Sequence, residues 1–232
     1  GRYEVAHERV RSGCEIAARR GNPYDLAMAL HSEACTIHFA GESDRLASTA
    51  DRLVRVAADS GFEYAGHLAT GWQAICDLGA GRAARAHQKA AAAIRGFDRL
   101  GARVSQPFWL ATLARAQWAD GHVDAGMQTF ERALAYNPQE LSLIPEVWIA
   151  RARILRDEGR LREAGRDLMQ AVRTARRTGA RQYEFRALAE LAALPAGGRG
   201  EERRLRARRA ATAMAGLDHG PADRARLEAL TT

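Results

Sequence analysis

Three side chains suited to metal or acid–base chemistry stand close together near the start of the chain: His31, Cys35 and His38. Their i, i+4, i+7 spacing puts them on one face of a helix, and imidazole with thiolate suits zinc or copper. One helix face supplies only part of a tetrahedral shell, and no fourth ligand lies nearby in sequence. No metal and no cofactor is therefore expected, and the three are read as lining for a partner. Two later sets repeat the arrangement: Phe108, Arg115 and Trp118, then Ile149, Arg153 and Arg156. Arginines beside aromatic rings suit an acidic or C-terminal peptide, because the guanidinium fork pairs with a carboxylate through two hydrogen bonds. On a chain this rich in arginine the same rows also read as an ordinary solvated surface.

Reaction chemistry leaves no comparable trace. The chain has no Gly-x-Ser-x-Gly, no Gly-x-x-x-x-Gly-Lys and no His-Glu-x-x-His, so nucleophile elbow, phosphate loop and zinc-protease helix are all missing. Gly79-Ala80-Gly81 follows no strand pattern and reads as a turn between helices. The expectation is a non-catalytic protein. The run Arg203 to Arg209 offers charge for phosphates, but its charges lie all around a helix. It also follows Glu201 and Glu202 and has no stacking residues between its arginines, so nucleic acid is the least favoured partner.

The elements that must hold these residues are helices. Of 232 residues 47% are hydrophobic, only 6% aromatic and six are proline. Alanine, leucine and arginine dominate, all strong helix formers. The net charge of +7 is almost wholly arginine, since Lys89 is the one lysine; that bias reads as base composition of a GC-rich genome. Cys14, Cys35 and Cys76 are odd in number and unrelated in spacing, which argues against disulfides and for a reducing cytoplasm. No signal-peptide pattern opens the sequence, and no apolar run reaches the ~18 residues a membrane span needs.

Glycines punctuate the chain at a fixed interval. Gly41, Gly81, Gly121 and Gly159 are 40, 40 and 38 residues apart, and Gly61, Gly101 and Gly179 form a second series about twenty residues later. Asn137-Pro138 fills the missing place. Glycine, or asparagine in its stead, closes helices in the left-handed conformation. The two series therefore predict helix–turn–helix units of about 40 residues. In the third unit Leu110, Leu113, Ala114 and Gln117 recur on one helix, and Val123, Met127, Phe130, Ala133 and Leu134 on the next.

Here the chain resembles the tetratricopeptide (TPR) family. Leu110, Leu113, Ala114, Gly126, Phe130, Ala133 and Pro138 fall at that motif's places, with Gln117 departing from its usual aromatic. Trp148, Ala152, Leu155, Gly159, Leu161, Ala164, Leu168 and Ala171 match again, without the proline. Ala74, Gly81, Ala86, Ala90 and Ala93, and then Ala34, Gly41, Leu46 and Ala50, keep only the small-residue signature. The longer repeat, with Trp109 to Ala116 followed by Gly121-His122, is similar to the TPR-like region of large bacterial signal-transduction ATPases. Those are ATPases joined to adenylate or guanylate cyclase domains, and MalT-like LuxR-family transcription regulators. The resemblance implies an all-α, right-handed solenoid of antiparallel helix pairs, roughly five plus end helices. Residues 1–194 form the array, opening on half of a truncated repeat as a fragment of a longer protein would. A Gly/Pro break follows at 195–200, and 201–232 form arginine-rich capping helices. The implied role is a protein-interaction or sensor module binding a protein or peptide in its concave groove, its own upstream NTPase domain included. The alternative is a receptor for a small molecule or nucleotide. Trp72 and Trp148 are expected in the core.

Overall fold

The computed structural model describes residues 2–136, 141–194 and 200–231. They form α-helices: α1 (Tyr3–Arg20), α2 (Pro23–Ala40), α3 (Ser43–Ser60), α4 (Glu63–Gly79), α5 (Ala83–Arg99), α6 (Gln106–Ala119), α7 (Val123–Ala135), α8 (Ile144–Asp157), α9 (Leu161–Thr178), α10 (Arg181–Ala193), α11 (Gly200–Met214) and α12 (Pro221–Thr231). The only β pairing among the described residues is an isolated bridge between Arg2 and Asp218. No helix there is long and apolar enough to cross a membrane.

All seven glycines of the two series adopt positive φ, from 64° at Gly101 to 85° at Gly121. The turn after α8 shows the mechanism. The Gly159 N–H donates to Arg156 O at 2.9 Å, and the next N–H, of Arg160, reaches back to Leu155 O at 2.7 Å. This double bond set satisfies the last carbonyls of the helix and reverses the chain in two residues. The same pair recurs after α2, α4, α5, α6 and α9. Asn137-Pro138 and most of the 195–200 break lie outside the described residues; Gly200 opens α11.

Consecutive helices pack against each other along the chain, and the even-numbered helices also touch one another in order: α2, α4, α6, α8, α10, α12. After α1, the helices pair as α2–α3, α4–α5, α6–α7, α8–α9 and α10–α11. α6 is the most enclosed, with ten residues from Gln106 to Ala116 buried, so its sequence is apolar nearly all round. Small residues set the helix spacing. A Cβ on Gly126 would lie 2.8 Å from Ala114 O, so α7 rests directly on the backbone of α6. Trp72 is fully buried, as expected, whereas Trp148 is half-buried beneath the Arg151 guanidinium, 4.8 Å from its ring centre.

The chain's end does more than cap an open stack. α12 packs on α2, so contacts among the even-numbered helices close into a cycle. At this seam the Asp223 carboxylate, 1% exposed, accepts from Arg186 Nε at 2.9 Å and Nη2 at 2.8 Å. Gln182 Nε2 donates to it at 2.8 Å and Arg226 Nη1 at 3.0 Å. Arg186 Nη2 also donates to the Phe39 carbonyl at the end of α2. Close contact leaves room only for glycine on both sides: a Cβ on Gly41 would sit 2.3 Å from the Ala222 Cβ, and one on Gly220 2.9 Å from Ala40 Cα. Asp218 accepts from the Glu4 N–H, supplying an acceptor to the first turn of α1, which has no side-chain cap of its own. The reading of 201–232 as purely capping helices is thus too narrow. In α11 Arg208 and Arg209 are exposed while Ala210, Ala213 and Met214 are buried.

Gly66 on α4 has open space around it, so Gly66→Ala should stabilise by about 0.5–1 kcal/mol. Gly126→Ala should instead destabilise by about 1–3 kcal/mol through its clash with α6; urea midpoints of the two variants check the opposite signs. Asp223→Ala should cost about 3–5 kcal/mol by leaving Arg186 buried and unpaired. Burial pushes the Asp223 carboxyl up, but hydrogen bonding and charge from Arg186, aided by Gln182 and Arg226, outweigh this and hold it below its ordinary value. A depressed carboxylate stabilises above its unfolded pKa and loses that contribution as pH falls through the folded one. The gap in thermal midpoint between wild type and Asp223→Asn should therefore narrow below about pH 4.

Candidate functional site

The even-numbered helices turn one face toward a shared interior, and α2 contributes the residues that opened the sequence reading. His31 Nδ1 accepts from Trp72 Nε1 at 3.0 Å. That bond places the His31 proton on Nε2, which lies 3.7 Å from Cys35 Sγ. One turn on, the His38 ring lies among aromatic rings, 5.1 Å from Phe39 and 5.5 Å from both Trp72 and Phe108. Phe39 in turn meets Tyr183 of α10 edge-on at 6.2 Å.

Enclosure dominates the electrostatics. Burial holds His31 down to about 4. His38 falls to about 3, by burial first and then by the charges of Arg115, Arg186 and Arg153. Burial pushes the Cys35 thiol up to about 12, and the Tyr183 hydroxyl well above its usual range. Each group is held in its neutral form. With the His31 lone pair engaged by Trp72 and His38 among rings, the trio offers poor metal chemistry.

The nine expected groove residues separate into three environments. His38, Phe108, Arg115 and Arg153 converge on the interior, with Cys35 one turn and His31 two turns before His38 on α2. Arg156 and Trp118 already have partners: Arg156 pairs with Glu190 and Asp157, and Trp118 Nε1 donates to Glu158 at 2.8 Å. Ile149 has no exposed surface and packs with Leu155, Leu168 and Phe185 in the core, so it presents nothing to a partner. This corrects its reading as a groove residue: position six of α8 points between helices.

Arg115, Arg153 and Glu190 each stand tenth in their helices, α6, α8 and α10, and form a ladder. Arg153 Nε donates to Glu190 at 2.8 Å and Arg156 Nη1 to the same carboxylate at 3.0 Å, so two of the three arginines expected to receive a peptide acid already hold one. Arg115 has no hydrogen bond or ion pair with any described residue. Burial disfavours its charge, Arg153 adds to that, and Glu146 opposes it without touching it. Glu146 likewise makes no ion pair among the described residues. Phe108, Glu146 and Tyr183 occupy the third place of the same three helices. Tyr183, Arg186 and Glu146 escaped the sequence reading. The register of α10 against α8 was the available signal, but no TPR-like residues mark α10. A cavity of about 240 Å³ lined by Cys35, Phe39, Gln182 and Asp218 opens beside the seam.

No protein-family model matches the chain, and no curated protein is matched by it.

Neutral histidines have a measurable consequence. The unfolded chain protonates both near pH 6.5, while the folded chain resists to about 4 and 3. Stability should therefore rise with pH between about 4 and 6.5 and fall on acidification through that window. Thermal midpoints of wild type and a His31→Gln, His38→Gln variant measure it, and the variant's acid limb should be flatter.

Proposed function

We propose that this chain is a non-catalytic sensor module, a TPR-like right-handed superhelix of antiparallel helix pairs whose inner face receives a small anionic effector. The reading places it in the cytoplasm, as the repeat part of a larger bacterial signalling ATPase or transcription regulator. Support for that setting comes from the resemblance at residues 105–178 and from three free cysteines.

The observation that carries the effector is Arg115. A half-buried guanidinium with no carboxylate in contact among the described residues is best completed by an anion. A carboxylate or phosphate meets the fork through two charge-assisted bonds. Glu146 stands on the opposite side of the charge balance and accepts from a donor on the same ligand. Phe108 borders the same interior as an apolar neighbour, as small-molecule sites commonly have. Against reaction chemistry, the enclosed histidines, thiol and phenol are tuned away from base, nucleophile and acid. Against an acidic peptide, Glu190 already occupies Arg153 and Arg156.

Thermal-shift screening with small carboxylates, phosphates and nucleotides tests the reading, with Arg115→Met as control. Without ligand, Arg115→Met should be the more stable protein by about 1 kcal/mol or more, since an uncompensated charge is removed. With ligand, wild type should gain several degrees and the variant none. An anion that stabilises both equally, or none that stabilises wild type, overturns the assignment.

A further inference from the structure

A second cluster of ligand-type side chains lies where α6 turns into α7. Asp120 and His122 flank Gly121, and His87 reaches them from α5. Asp120 Oδ2 is 2.8 Å from His87 Nδ1 and 3.6 Å from His122 Nε2. The two imidazole rings stand edge to face with centres 5.2 Å apart, and the three ligand atoms all lie within 4.8 Å of one another. We propose that His87, Asp120 and His122 form a zinc-binding site that ties α5 to the α6–α7 turn.

Geometry and donor chemistry both fit. Ligands at about 2.0–2.2 Å around a tetrahedral ion are separated by about 3.3–3.6 Å, which falls inside the observed spread of 2.8 to 4.8 Å. The longest separation closes by movement of His122, the most exposed of the three at 59%. The turn that carries Asp120 and His122 is itself fixed by backbone, so only the His122 side chain need move. His122 N donates to Gln117 O at 2.8 Å and Asp120 N to Ala116 O at 3.0 Å, so the turn holds two ligands on one rigid reversal. His87 sits in the first half of α5, which packs on α6.

Two imidazoles and one carboxylate suit zinc far better than calcium or magnesium, which take oxygen ligands. Three protein ligands leave the fourth tetrahedral position to water. The site differs from the Arg115 interior in both residues and ligand class, so neither proposal depends on the other.

Calorimetric titration of Zn²⁺ into the untagged, chelator-treated chain tests the site. One equivalent is expected to bind, raising the thermal midpoint reversibly on chelation, while Ca²⁺ and Mg²⁺ leave it unchanged. His87→Ala and His122→Ala should each weaken binding by more than the about 10–100-fold that loss of a supporting partner alone produces. Asp120→Asn, nearly the same size, should weaken binding while leaving the metal-free midpoint close to wild type. Co²⁺ in place of Zn²⁺ should give visible absorption that the His87→Ala variant lacks. Absence of saturable one-equivalent binding, or affinity unchanged in the His87→Ala, His122→Ala double variant, overturns the proposal.

Discussion

The contact on which the arrangement turns is the buried meeting of Arg186, Asp223 and the Phe39 carbonyl. A stack of helical hairpins needs only neighbour contacts to stand, and each hairpin here has them. What the stack does not require is a bond between residues 39 and 186, or between α12 and α2. A guanidinium this enclosed is tolerable only with its acid in place, so the last helix is held wherever α2 and α10 present their groups. Joining those ends gives the even-numbered helices one interior in place of an open groove. The same interior holds neutral His38 and Arg115, which has no counter-ion in contact among the described residues.

The repeat was legible in the sequence because its cause is local. Most helix stops are glycines whose left-handed backbone closes the preceding turn, and the seven expected positions carry that geometry; α7 and α10 end without one. Trp72 in the core and Gly126 at a helix contact were legible for a related reason, since size and spacing alone decide them. Closure was not legible. Asp223 lies in Pro221-Ala-Asp-Arg-Ala-Arg, a segment whose composition reads as solvated, and its partner is 37 residues away. Gly41 gave the clue only in retrospect: it was read as a turn former, which it is, while its missing Cβ also admits Ala222. One residue answered to two constraints, and sequence spacing reports just the first.

The groove assignments failed and succeeded along the same line. Periodicity identifies which face of a helix is inward, so His38, Phe108, Arg115 and Arg153 were placed near one another. It does not say whether an inward arginine has already found an acid. Glu190 lies 37 residues beyond Arg153, in a helix with little TPR character, and cancels the charge that made the row attractive for a peptide. Ile149 shows the converse limit. A shift of one position around α8 separates an inner lining from the core between helices, and a two-residue uncertainty in helix start spans that difference.

The ladder at the tenth position explains why one charge stands apart. Across α6, α8 and α10 the sequence runs arginine, arginine, glutamate, and one carboxylate serves Arg153 and Arg156 together. In an array that repeats the same backbone, an acid at the equivalent place in α4 would have served Arg115; Trp72 stands there instead, fully buried. The tryptophan packs in the core, and the guanidinium has no counter-charge in contact among the described residues. Folding gains nothing from that substitution of ring for carboxylate at Arg115. The proposed anion site rests on that half-buried charge, which the described residues leave without a counter-ion.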